Sequence, residues 1–229
     1  MTQPDWWYDD LKQVGLDFAD PRQAMTYDER QGRDPSADRA LLAQLGVDRS
    51  TAMADIGCGT GMLACEAAGL ARSVRAIDVS QAMLSLARRR ARERNHTNLT
   101  FEQASFLSFE TSGDLDLIVT KNALHHLPDV WKAVALTRMR DALRPGGRIY
   151  IRDVVYNCGP DNLPLLVEGW IGLMGRETGY SRAEVATHVR EEHSTFGWIL
   201  ERLITEAGFR LLNRTHDGVY ATYLAQAVA

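Results

Sequence analysis

The chain has 229 residues, enough for one α/β unit with a sizeable core, and 45% hydrophobic with 24% charged residues is ordinary for a soluble globular protein. A formal net charge of -4 argues against a protein built to track phosphate backbones. Three cysteines without a Cys-x-x-Cys pair supply neither a disulfide framework nor a zinc site. No apolar run reaches the length of a membrane span, and Met1-Thr2-Gln3-Pro4-Asp5 has no signal-peptide core. The expectation is a cytoplasmic protein with no membrane, nucleic-acid or metal partner; its oligomeric state is not legible.

Residues 1–50 precede the core. Trp6, Trp7, Tyr8, Leu11, Val14 and Phe18 have spacings that predict one face of a short helix, and Asp38 to Leu45 predicts a second. Thr51 to Ile56 reads as a buried strand running into three glycines at alternate positions, Gly57, Gly59 and Gly61, and then a helical segment from Met62 to Ala71. Strand, glycine turn and helix together hold a ligand against a helix N-terminus, where unpaired N–H groups favour an anion. Gly59-x-Gly61-x-x-Ala64 also matches the dinucleotide fingerprint. However, Asp55 stands at the strand's end just before the loop. A carboxylate there is badly placed for a pyrophosphate and well placed for an ammonium group. A second acid, Asp78, closes the apolar run Val74 to Ile77, where a ribose-binding acid is expected.

Ser80 is positioned to cap a helix over Gln81 to Arg94. Its five arginines (Arg88, Arg89, Arg90, Arg92 and Arg94) read as a solvated face complementing the helix dipole rather than as a nucleic-acid patch. Leu99 to Ala104 and Leu115 to Thr120 read as strands, the second followed at once by Asn122, His125 and His126. The C-terminal end of such a strand faces the ligand crevice of an open α/β sheet. Val130 to Leu143 reads as a helix, Pro145-Gly146-Gly147 as a turn, and Arg148 to Val155 as the fifth strand. Phe209 to Arg214 and Val219 to Ala227 close the chain as a strand pair.

Four motifs in order over Thr51 to Val154 resemble the class I S-adenosylmethionine-dependent methyltransferases: Asp55 to Gly61, Asp78, Asp116-Leu-Ile-Val119 with Asn122 to Asp129, and Leu143-Arg-Pro-Gly-Gly147. The resemblance implies a doubly wound, seven-stranded, mostly parallel sheet with an antiparallel last strand. It implies S-adenosyl-L-methionine as cofactor, held by Asp55, Gly57, Gly59, Gly61, Asp78, Val79, Met83 and Asn122. Gln103, with Ala104 and Ser105, stands where the family commonly places an acid for the adenine amino group. Tyr27 stands for the N-terminal tyrosine that closes over the sulfonium. The activity implied is methyl transfer to a small-molecule acceptor.

The intervening stretch 156–207 has helical patterns near Leu163 to Arg176, Ser181 to His193 and Thr195 to Ala207. By fold analogy it is a helical cap over the acceptor, giving an organisation of lid segment (1–50), cofactor core (51–155), cap (156–207) and closing hairpin (208–229). Within it His188, Glu191, Glu192 and His193 form the densest chemical cluster, with Glu191, Glu192 or His193 as a general base beside His125 and His126. Two rivals use the same loop: an NAD(P)-dependent oxidoreductase and a non-catalytic S-adenosylmethionine-binding protein.

Overall fold

The computed structural model describes residues 4–11, 34–178 and 180–228. Tyr27, Val14 and Phe18 lie outside them. Helix α1 (Pro35–Gln44) starts on Asp34, whose side chain accepts the Ser36 N–H at 2.8 Å. There follow β1 (Ala52–Ile56), α2 (Met62–Ala68), β2 (Ser73–Asp78), α3 (Gln81–Glu93), β3 (Leu99–Gln103), β4 (Leu115–Lys121), a 3-10 turn (Leu124–His126), α4 (Asp129–Ala142) and β5 (Leu143–Tyr156). The rest is α5 (Leu163–Glu177), α6 (Arg182–Glu191), β6 (Thr195–Phe196), α7 (Gly197–Glu206), β7 (Phe209–Asp217) and β8 (Tyr220–Ala227).

Seven strands lie in the order β3-β2-β1-β4-β5-β8-β7, with β6 pairing the end of β5. β1 to β5 pair in parallel, and β8 runs antiparallel to both β5 and β7. This is the doubly wound sheet expected. The centre of the sheet is covered on both faces, which is why β1 reads as an unbroken apolar run and is buried throughout. One core layer joins Ile118, Leu136, Met139, Leu200 and Ile204; the other joins Leu42, Leu63, Leu84 and Val119. The chain winds outward from β1 to β3 and restarts at β4, so the strand order reverses between β1 and β4. The crevice at their C-terminal ends is the topological switch point where ligands of such sheets bind. Among the described residues no helix is long and apolar enough to cross a membrane.

Three expectations need correction. The described part of the N-terminal aromatic segment is built of turns, not a helix: Trp7 and Tyr8 pack on Trp131 while Trp6 and Leu11 stay exposed. Burial of two rings on a third, not helical spacing, fixes it. Thr195 to Ala207 is not one helix, because Thr195–Phe196 pairs with Val155 and Tyr156 as β6. The following α7 sends Leu200 and Ile204 into the main core, so it belongs to the sheet's helix layer. The helices standing apart are therefore α5 and α6, which form their own cluster of Trp170, Tyr180 and Val185 with Val154 and Tyr156 of β5. Finally, helix α6 ends at Glu191, and Glu192 follows in extended geometry (φ -92, ψ 157), with consequences for the site.

Candidate active site

The glycine loop after β1 is held from three sides. Gly57, Gly59 and Gly61 have φ of +74, +54 and +73. At Gly57 a Cβ would stand 2.4 Å from the Ala123 Cβ, so glycine is required for the loop to meet the segment after β4. Arg90 of α3 donates to the Thr60 carbonyl at 2.6 Å and Arg94 pairs with buried Glu66. Two of the five arginines thus brace the loop and its helix rather than line a nucleic-acid surface. Asp78 closes the third side: its Oδ2 accepts the Gly59 N–H at 2.7 Å and its Oδ1 the Ser80 N–H at 2.8 Å. Burial raises the carboxyl above its usual range, against these backbone bonds, which pull it down.

Asp78→Ala is therefore expected to do more than the sequence suggests. If Asp78 is the ribose acid that the resemblance implies, loss of its charge-assisted bonds weakens S-adenosylhomocysteine binding by about 2–4 kcal/mol. The loop N–H groups released by the change cost a further ~1–2 kcal/mol of stability. Calorimetry and urea unfolding check both; affinity within about twofold of wild type contradicts the ribose role.

The remaining predicted cofactor residues among the described ones gather at the same end of the sheet. Asp55 and Met83 are buried, and Val79 is half-buried. Gln103 is exposed and its amide donates to the Val79 carbonyl at 3.2 Å, linking the ends of β3 and β2. Ala104 and Ser105 are buried; the Ser105 hydroxyl bonds Ser108 at 2.8 Å. Asp10 reaches over to accept the Leu107 N–H at 3.2 Å, so the N-terminal segment lies across this loop. Asn122 sits in the left-handed region (φ 54), with its Oδ1 taken by Arg152 at 2.7 Å.

His125, His126 and the segment after α6 meet at the end of β4. His125, 6% exposed, hydrogen-bonds through Nδ1 to Asp153 Oδ1, and its backbone N–H donates to Asp153 Oδ2 at 3.0 Å. On its other side, His125 Nε2 lies 3.0 Å from Glu192 Oε2. Glu192 also pairs with His188 Nδ1, whose Nε2 bonds Ser194 at 2.9 Å. The ligand atoms offered by His125, His126 and Glu192 lie within 4.8 Å of one another, a grouping that could hold a metal ion.

The two adjacent histidines are driven apart electrostatically. Burial opposes a charge on His125, but Asp153 and Glu192 outweigh it and raise the ring to about 10. Burial, followed by the charge on His125, pushes His126 down to about 3. Burial works against ionisation of Glu192, yet His125 and His188 hold its carboxyl well below the usual range; His125 does the same for Asp153. Near neutral pH the His125 imidazolium therefore faces two carboxylates, with His126 neutral.

Sequence reasoning named Glu191 and His193, and the structure places them differently. Glu191 is exposed on α6, outside this cluster. His193 is half-buried and joins through its backbone: its N–H donates to the His125 carbonyl at 2.8 Å, and its carbonyl accepts from buried Lys132. Glu192, which the sequence also offers as a base, supplies one carboxylate of the cluster, and Asp153, which the sequence reading did not single out, supplies the other. Asp153 sits in the apolar run Ile149 to Val155, and a buried strand carboxylate demands a partner, a signal that could have found it. Glu191→Gln is expected to leave turnover unchanged and stability within about 0.5 kcal/mol of wild type. A large fall in rate in that variant would return Glu191 to the site.

Comparison with known proteins identifies the family. Residues 53–147 match the family model described as a methyltransferase domain. An uncharacterized methyltransferase of Bacillus thuringiensis (strain Al Hakam) is 33% identical over 157 residues, covering 69% of this chain and 68% of the relative. A SAM-dependent methyltransferase from Aquifex aeolicus superposes with a TM-score of 0.66 at 17% identity, over 91% of this chain and 99% of that one. Magnesium protoporphyrin IX methyltransferase from Synechocystis PCC 6803, with bound S-adenosylhomocysteine (SAH), gives a TM-score of 0.62 at 17% identity, over 95% and 91%. The oxidoreductase reading finds no support among them. Sequence motifs, sheet order and these likenesses converge: the chain belongs to the S-adenosylmethionine-dependent methyltransferases, with S-adenosyl-L-methionine as its cofactor.

Proposed function

We propose that this methyltransferase acts on a small molecule that docks beside the His125–Glu192 cluster, next to α5 and α6. The observation that carries the reading is the buried cluster of His125, Asp153 and Glu192 at the end of β4, at the switch point beside the glycine loop. Asp55 suits the amino group of the cofactor, Asp78 its ribose, and Gln103 to Ser105 its adenine; all stand on the strand ends that frame the loop. When bound, the cofactor supplies an electrophilic methyl group on a sulfonium.

The chain's own groups then orient the acceptor, exclude water and take up charge. A neutral nitrogen or oxygen acceptor becomes positive as it is methylated and must then lose a proton. The carboxylates of Asp153 and Glu192 stabilise that positive charge, and the proton leaves to solvent, because His125 already holds one and Glu192 is held far below its usual range. Fixed carboxylates cost no reorganisation at that moment. The net charge of -4 and three free cysteines support a cytoplasmic setting without nucleic-acid substrates. The test is a metabolite extract incubated with methyl-labelled cofactor and the protein. Label transferred to a small molecule is the expected result. SAH bound by calorimetry, with no transfer to any fraction, would favour the non-catalytic binder.

A further inference from the structure

We infer that His125, His126 and Glu192 bind a divalent transition-metal ion whose open positions face the acceptor cleft. This departs from the sequence-based expectation of no metal, and it stands without the small-molecule reading.

The spacing fits. Two ligands each about 2.0–2.2 Å from one ion, at an angle near 90–100°, stand about 3 Å apart. His125 Nε2 and Glu192 Oε2 are 3.0 Å apart. The wider spread of 4.8 Å over all three groups closes by a movement of roughly an ångström or two in the half-buried His126 ring.

The groups behind the ligands are those that a metal site requires. Asp153 accepts from His125 at Nδ1 and from its backbone N–H, which fixes the ring and leaves Nε2 pointing forward. His188, itself tied to Ser194, holds the Glu192 carboxylate from the other side. The Nδ1 of His126 is buried without a hydrogen-bond partner among the described residues. A buried imidazole nitrogen with nothing to bond is rare in a finished core and ordinary beside a ligand.

Charge points the same way. A dication held by His125, His126 and Glu192 places positive charge beside the buried carboxylates of Asp153 and Glu192. Two imidazoles and one carboxylate on one side of an ion leave coordination positions open, as in catalytic zinc and non-haem iron sites. An acceptor oxygen could occupy one of them and lose its proton more readily.

The test uses the full chain, stripped with chelator and titrated with cobalt(II). One ion per chain, with visible d–d absorption displaced by zinc, is expected. His126→Ala and Glu192→Gln should weaken binding at least about tenfold, and Asp153→Asn about 10–100-fold, with circular dichroism unchanged. Should a variant fail to fold, X-ray absorption on zinc-loaded wild type decides: two imidazoles with oxygen ligands support the site, and all-oxygen or sulfur ligation overturns it. Absence of both cobalt absorption and zinc heat overturns it as well, as does binding untouched by the substitutions. SAH calorimetry run in parallel separates the two readings, since intact cofactor binding with no metal uptake removes only this one.

Discussion

Gly59→Val is expected to abolish cofactor binding in a folded protein. Gly59 holds φ +54, a conformation that β-branched side chains almost never adopt, and its N–H is bonded to Asp78 at 2.7 Å. Valine must either bear left-handed strain of ~1–2 kcal/mol or rotate out of it and break that bond, at ~1–3 kcal/mol. Either route also pushes a branched side chain toward the space the cofactor needs. Strain and bond loss are costs to the fold, while the branched side chain in the cofactor's space is what removes binding. Titration with SAH measures it, with thermal unfolding as the control for fold. Binding retained in the valine variant would reduce this loop to a structural turn.

Glu192→Gln should be the most damaging conservative change on the acceptor side. The amide matches the carboxylate in shape but removes its charge. His125 loses the partner at Nε2, and His188 loses the partner at Nδ1. We expect turnover to fall by about 10²–10⁴ while SAH affinity changes little, because Gly59, Asp78 and the adenine side are untouched. A rate near wild type would remove the cluster from the chemistry. A parallel loss of SAH affinity would instead place Glu192 in the cofactor site.

The cofactor half of the molecule was legible because its signals are local. Alternating glycines after an apolar run, and acids at two successive strand ends, lie within residues 52–78, and neighbouring strands carry them to one edge. The acceptor half depends on long-range placement. His125 meets Asp153 only because β4 and β5 pair in parallel, and no periodicity encodes that contact. The choice between Glu191 and Glu192 turned on where α6 stops. A helix continued to His193 puts both acids near His188, whereas the extended geometry at Glu192 directs that side chain inward and leaves Glu191 outside. Gln103 was assigned by position alone, and its bond to the Val79 carbonyl is a tertiary feature that composition does not carry.

The central claim is a division of labour across the switch point between β1 and β4. A crystal structure of the chain with SAH tests it most directly. We expect the amino group at Asp55, the ribose hydroxyls at Asp78, and the sulfur facing His125, His126 and Glu192. A sulfur directed away from that cluster, or a ligand bound elsewhere than the glycine loop, would contradict it.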